Sequence, residues 1–235
     1  LLDSILSRLR AATAVQILGH ERPDGDCIGS MLGLHHLLDQ WGIPHALGAA
    51  SIPNSGYDRL AGYELIREQP DPALAPDLTI CLDCATVDRA PEGWRPAGTV
   101  INIDHHASNT RYGAVNWVEM GCSSVGEMIY YLVLRAQARL TAELATALLI
   151  ALTTDTGSFR FDNTGPTQHL VAARLIQAGA RPQEVACMAY GSMALESARL
   201  MGHVFQALQL VCGGRIAWSE IRRQTCAACG GEDVA

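Results

Sequence analysis

His20-Glu21-Arg22-Pro23-Asp24-Gly25-Asp26-Cys27-Ile28-Gly29-Ser30 is the stretch whose reading decides the fold. The apolar run before it, Ala14-Val15-Gln16-Ile17-Leu18, reads as a buried strand. The run after it, Met31-Leu32-Gly33-Leu34-His35-His36-Leu37-Leu38, reads as a helix. His20, Asp24 and Asp26 therefore lie on the turn that leaves the carboxyl end of a strand, where open α/β sheets bind ligands. Two carboxylates two residues apart, with an imidazole four residues upstream, repel one another unless a cation neutralises them. The turn is first of all a candidate metal site.

Other apolar segments run into the same residue types. Thr79-Ile80-Cys81-Leu82 ends at Asp83, Val100-Ile101-Asn102-Ile103 ends at Asp104-His105-His106, and Leu148 to Thr154 ends at Asp155. In a parallel sheet such strand ends converge on one edge. That would gather His20, Asp24, Asp26, Asp83, Asp104, His105, His106 and Asp155 in one place. Oxygen and imidazole donors without thiolate suit Mn²⁺, Mg²⁺ or Co²⁺ better than structural zinc. More carboxylates than one ion needs point to two ions, about 3.5–4 Å apart.

The motifs, taken together, carry a resemblance. His20-x-x-x-Asp24-x-Asp26, Asp83, Asp104-His105-His106 and Asp155-Thr156-Gly157 occur in the order found in the DHH phosphoesterases. The surrounding text adds Pro23-Asp24-Gly25-Asp26-x-x-Gly29-Ser30, Asn102-Ile103-Asp104-His105-His106-x-Ser108-Asn109 and Thr154-Asp155-Thr156-Gly157-Ser158-Phe159-Arg160. From about residue 5 to about residue 218 the chain resembles that family, and within it the stand-alone oligoribonucleases that also dephosphorylate 3′-phosphoadenosine 5′-phosphate, the NrnA type. A single Asp-x-Asp would be a weak signal; four ordered motifs are a strong one.

The resemblance implies an α/β fold with a mostly parallel sheet flanked by helices. It implies a catalytic domain over 1–192, a linker helix over 193–212, and the start of a truncated or unrepresented DHHA1-like substrate lobe over 213–235. The glycine-rich, histidine-bearing motif of that lobe is not found in the sequence. Also implied are two divalent ions, Mn²⁺ first, with Co²⁺ or Mg²⁺ as substitutes. His20 and Asp24 would hold one ion, Asp26, His105 and Asp155 the other, and Asp83 would bridge. His106 and Asp104 would be catalytic, Asp104 by orienting a histidine rather than as a ligand. Asn109, Arg111 and Arg160 would place the phosphate or sugar. The subfamily often forms homodimers.

Composition sets bounds on this reading. The 235 residues are 49% hydrophobic and 17% charged, enough to bury a full core. The formal charge is −7, from 17 basic and 24 acidic residues, so the chain advertises no basic face for long duplex. Two divalent cations would offset more than half of that charge. A short oligonucleotide or a 3′-phosphonucleotide fits better. The longest apolar candidate, Leu144 to Thr154, is too short to span a bilayer. The start of the chain lacks the layout of a secretion signal, so no membrane association and a cytoplasmic location are expected. The eight cysteines read as reduced structural thiols, and Cys226-x-x-Cys229 has no second pair at zinc spacing.

Along the chain, helical spacing covers residues 1–11, and Gly42 stops the helix that follows the metal turn. His45 to Ala49 reads as a strand, Ser51 to Gly62 as a loop, and Pro70, Pro72 and Pro76 as an exposed connection. Ser108 to Gly121 reads as a long loop. Ser123 and Ser124 open a helix to about Arg135 and leave backbone N–H groups as an anion site, which makes Ser124 a substrate-binding candidate. Leu144–Leu152 could be a strand or a buried helix by periodicity; the resemblance favours helix. Helices follow over 167–179, 182–190 and 195–210, then a strand at Arg215–Ser219. Cyclic dinucleotides and RecJ-like single-strand cleavage remain alternative substrates, as does a nucleotide sensor without turnover. The intact set His20, Asp24, Asp26, Asp83, His105 and Asp155 argues against the sensor.

Overall fold

The computed structural model describes residues 1–50, 56–69, 73–90, 93–191 and 193–230. Ser51 at the start of the expected loop, Pro70, Pro72 and the tail beyond 230 lie outside these residues. The chain divides into two compact units, Leu1–Ala189 and Tyr190–Ala235.

The first unit opens with α1 (Leu2–Ala11), β1 (Val15–Leu18), α2 (Gly25–Gln40) and β2 (His45–Gly48). It continues with β3 (Ile66–Arg67), β4 (Leu78–Leu82), β5 (Thr99–Asp104) and β6 (Val115–Val118). Four helices close it: α3 (Val125–Arg135), α4 (Ala142–Asp155), α5 (Pro166–Gln177) and α6 (Pro182–Tyr190). All six strands pair in parallel, in the order β3-β2-β1-β4-β5-β6. Parallel strands are covered on both faces, so they need continuous apolar runs rather than alternation; β1 and β4 are buried at every position. The chain order reverses between β1 and β4, and that switch point is where a doubly wound sheet opens a crevice at its carboxyl edge.

One feature of this unit differs from the sequence reading, and one that periodicity left open is decided. Ser108–Gly121 is not all loop, because Val115–Val118 adds β6 beside β5. Leu144–Leu152 is helix: α4 is buried on nearly all sides, which erases the periodicity that would have identified it.

The contact between α2 and α4 sets the distance between the two halves of the site. Gly29 and Gly33 face α4 one turn apart. A Cβ on Gly29 would stand 2.3 Å from the Ala147 carbonyl oxygen, and one on Gly33 would stand 2.4 Å from Leu148 Cδ2. The helices meet at backbone distance because both positions lack a side chain.

The second unit holds α7 (Leu195–Gln206), β7 (Gln209–Val211), β8 (Ile216–Trp218) and α8 (Arg223–Ala228). The expected linker helix stops at Gln206, not near Leu210. The alternating residues that follow pair Gln209 with Trp218 and Val211 with Ile216 in an antiparallel hairpin. The strand expected at Arg215–Ser219 therefore has a partner. Among the described residues no helix is long and apolar enough to cross a membrane.

Gly29→Ala should lower stability by about 1–3 kcal/mol, because overpacking against a backbone oxygen outweighs the better helix propensity of alanine. Gly202→Ala makes the control: nothing lies within 4 Å of its added Cβ on α7, so it should be neutral or stabilising. Equal urea midpoints for the two variants would disprove the close contact.

Candidate metal centre

Strand ends bring the donors together. His20 lies two residues beyond β1, Asp83 one residue beyond β4, and Asp104-His105-His106 straddle the end of β5. Asp24 caps α2, its Oδ1 accepting from Asp26 N at 3.0 Å and Cys27 N at 3.1 Å. Asp155 is the last residue of α4. Asp83 has a left-handed backbone with φ 54°, which turns its side chain across the strand end; for a residue with a Cβ such a conformation costs on the order of 1 kcal/mol.

Around Asp83 the imidazoles close in. His20 Nε2 lies 3.3 Å from Asp83 Oδ2, and His106 Nδ1 lies 3.4 Å from Asp83 Oδ1. His105 Nε2 lies 3.2 Å from Asp155 Oδ2 and 3.8 Å from both Asp26 Oδ2 and Asp83 Oδ1. Such separations approach the roughly 3 Å that ligands about 2.0–2.2 Å from one ion must keep. Asp24 is more remote, 4.0 Å from His20 Nε2, with its side chain 60% exposed.

The donor chemistry fits a cation. Asp83 Oδ1 and His105 Nε2 are buried with no hydrogen-bond partner, a costly state that an ion would relieve. Asp83-His105-His106 and Asp26-His105-Asp155 form overlapping three-donor groups, and Asp83 also closes on His20 and Cys27. Burial and the charges of Asp83 and Asp24 push the Asp155 carboxyl up to about 7. Burial, then Asp83 and Asp155, push Asp26 well above the usual carboxylate range. Burial raises Asp83 as well, against the opposing hydrogen bond from His20. For His20, burial opposes the charged ring, but the bonds to Asp83 and the Glu21 carbonyl raise it overall. Cys27 Sγ also reaches this group, yet burial pushes its thiol well up, which keeps it a poor ligand.

Asp26 also does structural work. Its Oδ2 accepts from Val125 N at 2.7 Å, and its Oδ1 accepts from Gly126 N at 2.9 Å and Ser30 Oγ at 3.0 Å. The N-terminus of α3 is thus an anion site, as expected, but its anion is internal. Ser124 is fully buried and caps α3 by accepting from Glu127 N at 3.0 Å, so it offers nothing to a substrate. Asn109 is similarly engaged: its Nδ2 donates to Asn102 Oδ1 at 2.7 Å and to Asp104 Oδ2. It holds Asp104 in place rather than facing a ligand.

Asp104 is buried at the end of β5, and its Oδ1 accepts from His106 Nδ1 at 2.8 Å and His105 N at 2.8 Å. Those bonds and the Asn109 bond outweigh burial and hold its carboxyl below the usual range. The same bond raises His106 to about 8, against burial. Arg111 and Arg160 are exposed, the latter donating from Nε to Gly157 O at 2.6 Å. Sequence reading gave no role to Arg89, whose Nη2 stands 3.2 Å from His20 Nδ1.

Comparison with known proteins places this architecture. The family described as "DHH family, N-terminal domain" matches residues 14–152. A bifunctional oligoribonuclease and PAP phosphatase NrnA of Thermus thermophilus is 37% identical over 172 residues, 73% of this chain and 52% of the relative. Its Bacillus subtilis counterpart is 30% identical over 195 residues, 81% and 61% of the respective chains. The chain thus spans only half to three-fifths of these relatives. In fold it is similar to an exopolyphosphatase-related protein from Bacteroides fragilis, with a TM-score of 0.87 at 21% identity, covering 99% of this chain and 72% of that one.

Divalent cation binding should raise the melting temperature, since an ion at a hundredfold excess over Kd adds about 2.7 kcal/mol. Asp83→Ala should remove most of the Mn²⁺-induced rise, because its two oxygens face different imidazoles. An undiminished rise in Asp83→Ala would show that Asp83 is not shared between ions.

Proposed function

This chain belongs to the DHH family, and from that premise we propose that it is a two-metal phosphoesterase. Its substrates in this reading are short oligonucleotides and 3′-phosphonucleotides such as 3′-phosphoadenosine 5′-phosphate. The observation that carries the proposal is Asp83, a buried carboxylate with a free oxygen placed between His20 on one side and His105 and His106 on the other. The substrate class is supported by the NrnA relatives' names and by the shortage of basic residues.

His20 and Asp24 would hold one ion, Asp26, His105 and Asp155 the second, and Asp83 both. Bound Mn²⁺, or Co²⁺ or Mg²⁺ in its place, would supply Lewis acidity and lower the pKa of a water for attack on phosphorus. The chain's own groups then divide the remaining work. Asp104 accepts from His106 Nδ1, which leaves Nε2 of the protonated ring to donate to a phosphoryl oxygen as negative charge develops there. Arg111 and Arg160 are exposed, and their guanidinium groups would steer the phosphate or sugar. Residues from about 190 onward read as the beginning of a substrate lobe. Eight cysteines without a disulfide suit a reducing compartment, and we place the activity in the cytoplasm.

Purified protein should release mononucleotides from dinucleotides, and phosphate from 3′-phosphoadenosine 5′-phosphate, with Mn²⁺ or Co²⁺ and less with Mg²⁺. Full turnover after exhaustive chelation would refute the metal requirement. His106→Ala should keep normal Mn²⁺ stoichiometry and lose about 10²–10³-fold in kcat, the range for one charge-stabilising donor. His105→Ala should instead lose one ion. Equal metal loss in both would overturn the assigned roles.

A further inference from the structure

Glu127 lies outside the donor cluster, yet it grips the peptide that holds His105. Its Oε2 accepts from Ser123 N at 2.8 Å, Ser123 Oγ at 2.9 Å and Gln168 Nε2 at 3.0 Å. Its Oε1 accepts from Tyr131 Oη at 2.8 Å. The side chain is 2% exposed. Gln168 is oriented independently, since its Oε1 accepts from Gly165 N at 2.8 Å and leaves only its NH₂ for Glu127.

The N–H of Ser123 and the C=O of Cys122 are the two ends of one planar peptide unit. At the far end of that unit, Cys122 O lies 3.3 Å from His105 Nδ1. A carbonyl can only accept, so the proton of a neutral His105 belongs on Nδ1 and the lone pair on Nε2. That Nε2 is the buried atom without a partner, facing Asp26, Asp83 and Asp155. A carboxylate on the N–H end fixes the peptide plane and strengthens the carbonyl as an acceptor.

Ser124-x-x-Glu127 invites a simpler reading, a capping box. The geometry departs from it. Ser124 Oγ does accept from Glu127 N, but the Glu127 carboxylate passes over the Ser124 peptide N–H to that of Ser123, one residue earlier. It is also sealed from solvent by Gln168 of α5, which a helix cap does not need.

We propose that Glu127 is a positioning residue of the metal centre: through the Cys122–Ser123 peptide it fixes the tautomer and orientation of His105. The proposal rests on the metal reading given above. Carboxylates that orient a ligating histidine typically tune metal affinity by 10–100-fold, and here one peptide stands between the two groups.

The test uses ¹⁵N-histidine-labelled protein, metal-free, observed where the rings are neutral. Long-range ¹H–¹⁵N correlations should show His105 in the Nδ1–H form in the wild type, and an Nε2–H form there would overturn the proposal. Glu127→Gln keeps the shape and removes the charge. It should melt cooperatively, bind Mn²⁺ about tenfold more weakly by calorimetry, and show a growing Nε2–H share. Glu127→Asp draws the carboxylate back by one methylene; it should show the same losses and stands in where Glu127→Gln does not fold. A merely structural Glu127 would lower the melting temperature and leave affinity and tautomer unchanged, and that result would also overturn the proposal. A wild-type protein that binds no Mn²⁺ would refute the metal reading instead, while the tautomer measurement still decides the role of Glu127.

Discussion

The carboxylate of Asp26 rests on the first turn of α3, and the rest of the site depends on that seat. Taking a carboxylate out of water is expensive unless its oxygens are met by donors. Val125 N, Gly126 N and Ser30 Oγ meet them, and the helix N-terminus adds its own positive field. The bond ties the turn after β1 to an element about a hundred residues later in the chain. It also fixes where α3 begins, hence where the Cys122–Ser123 peptide lies and where His105 is held. The seat requires Gly126, since a Cβ there would come within 2.3 Å of Ala151 Cβ.

A second constraint works from the opposite direction. α4 delivers Asp155 to the site from its last residue, and α2 delivers Asp26 from its first turn. Those two helices meet along Gly29 and Gly33, which leave room for the Ala147 carbonyl and the Leu148 side chain of α4 and add none of their own. A thicker contact would move Asp155 away from His105 Nε2, now 3.2 Å distant. Interiors packed to crystal-like density transmit such shifts rather than absorb them. Helices that look like simple apolar filler therefore act as spacers for the oxygens of the donor cluster.

Much of this was legible in the sequence, for a physical reason. Buried parallel strands ending in Asp or His leave few alternatives, so the convergence of His20, Asp83 and His105 followed from the strand ends, while Asp155 reaches them from the end of a helix. What stayed hidden concerns partners rather than residue types. Ser124 and Asn109 carry the right groups to touch a phosphate, but sequence cannot tell that Glu127 N and Asp104 already engage them. Nothing in the sequence marks Glu127, because only the fold brings Gln168 to it and turns it back onto Ser123. β6 escaped notice because Val115-Asn116-Trp117-Val118 is short and lies among turn-forming residues. The end of α7 was misplaced because an apolar residue continuing a helix looks the same as one starting a strand, until the hairpin pairs it.

The three letters Asp104-His105-His106 show how one strand end yields three duties. β5 ends at Asp104, so His105 and His106 lie just past the last strand residue, where their rings stand side by side with centroids 4.5 Å apart and both close on Asp83 Oδ1. Leaving the strand, the chain lets Asp104 Oδ1 reach His106 Nδ1 at 2.8 Å while also accepting from His105 N. His105 meets the Cys122 carbonyl at one nitrogen and the carboxylates at the second. The duty of each residue is thus set by the neighbours it meets where the strand stops: Asp104 is buried among donors, His105 faces the carboxylates, and His106 is held by Asp104.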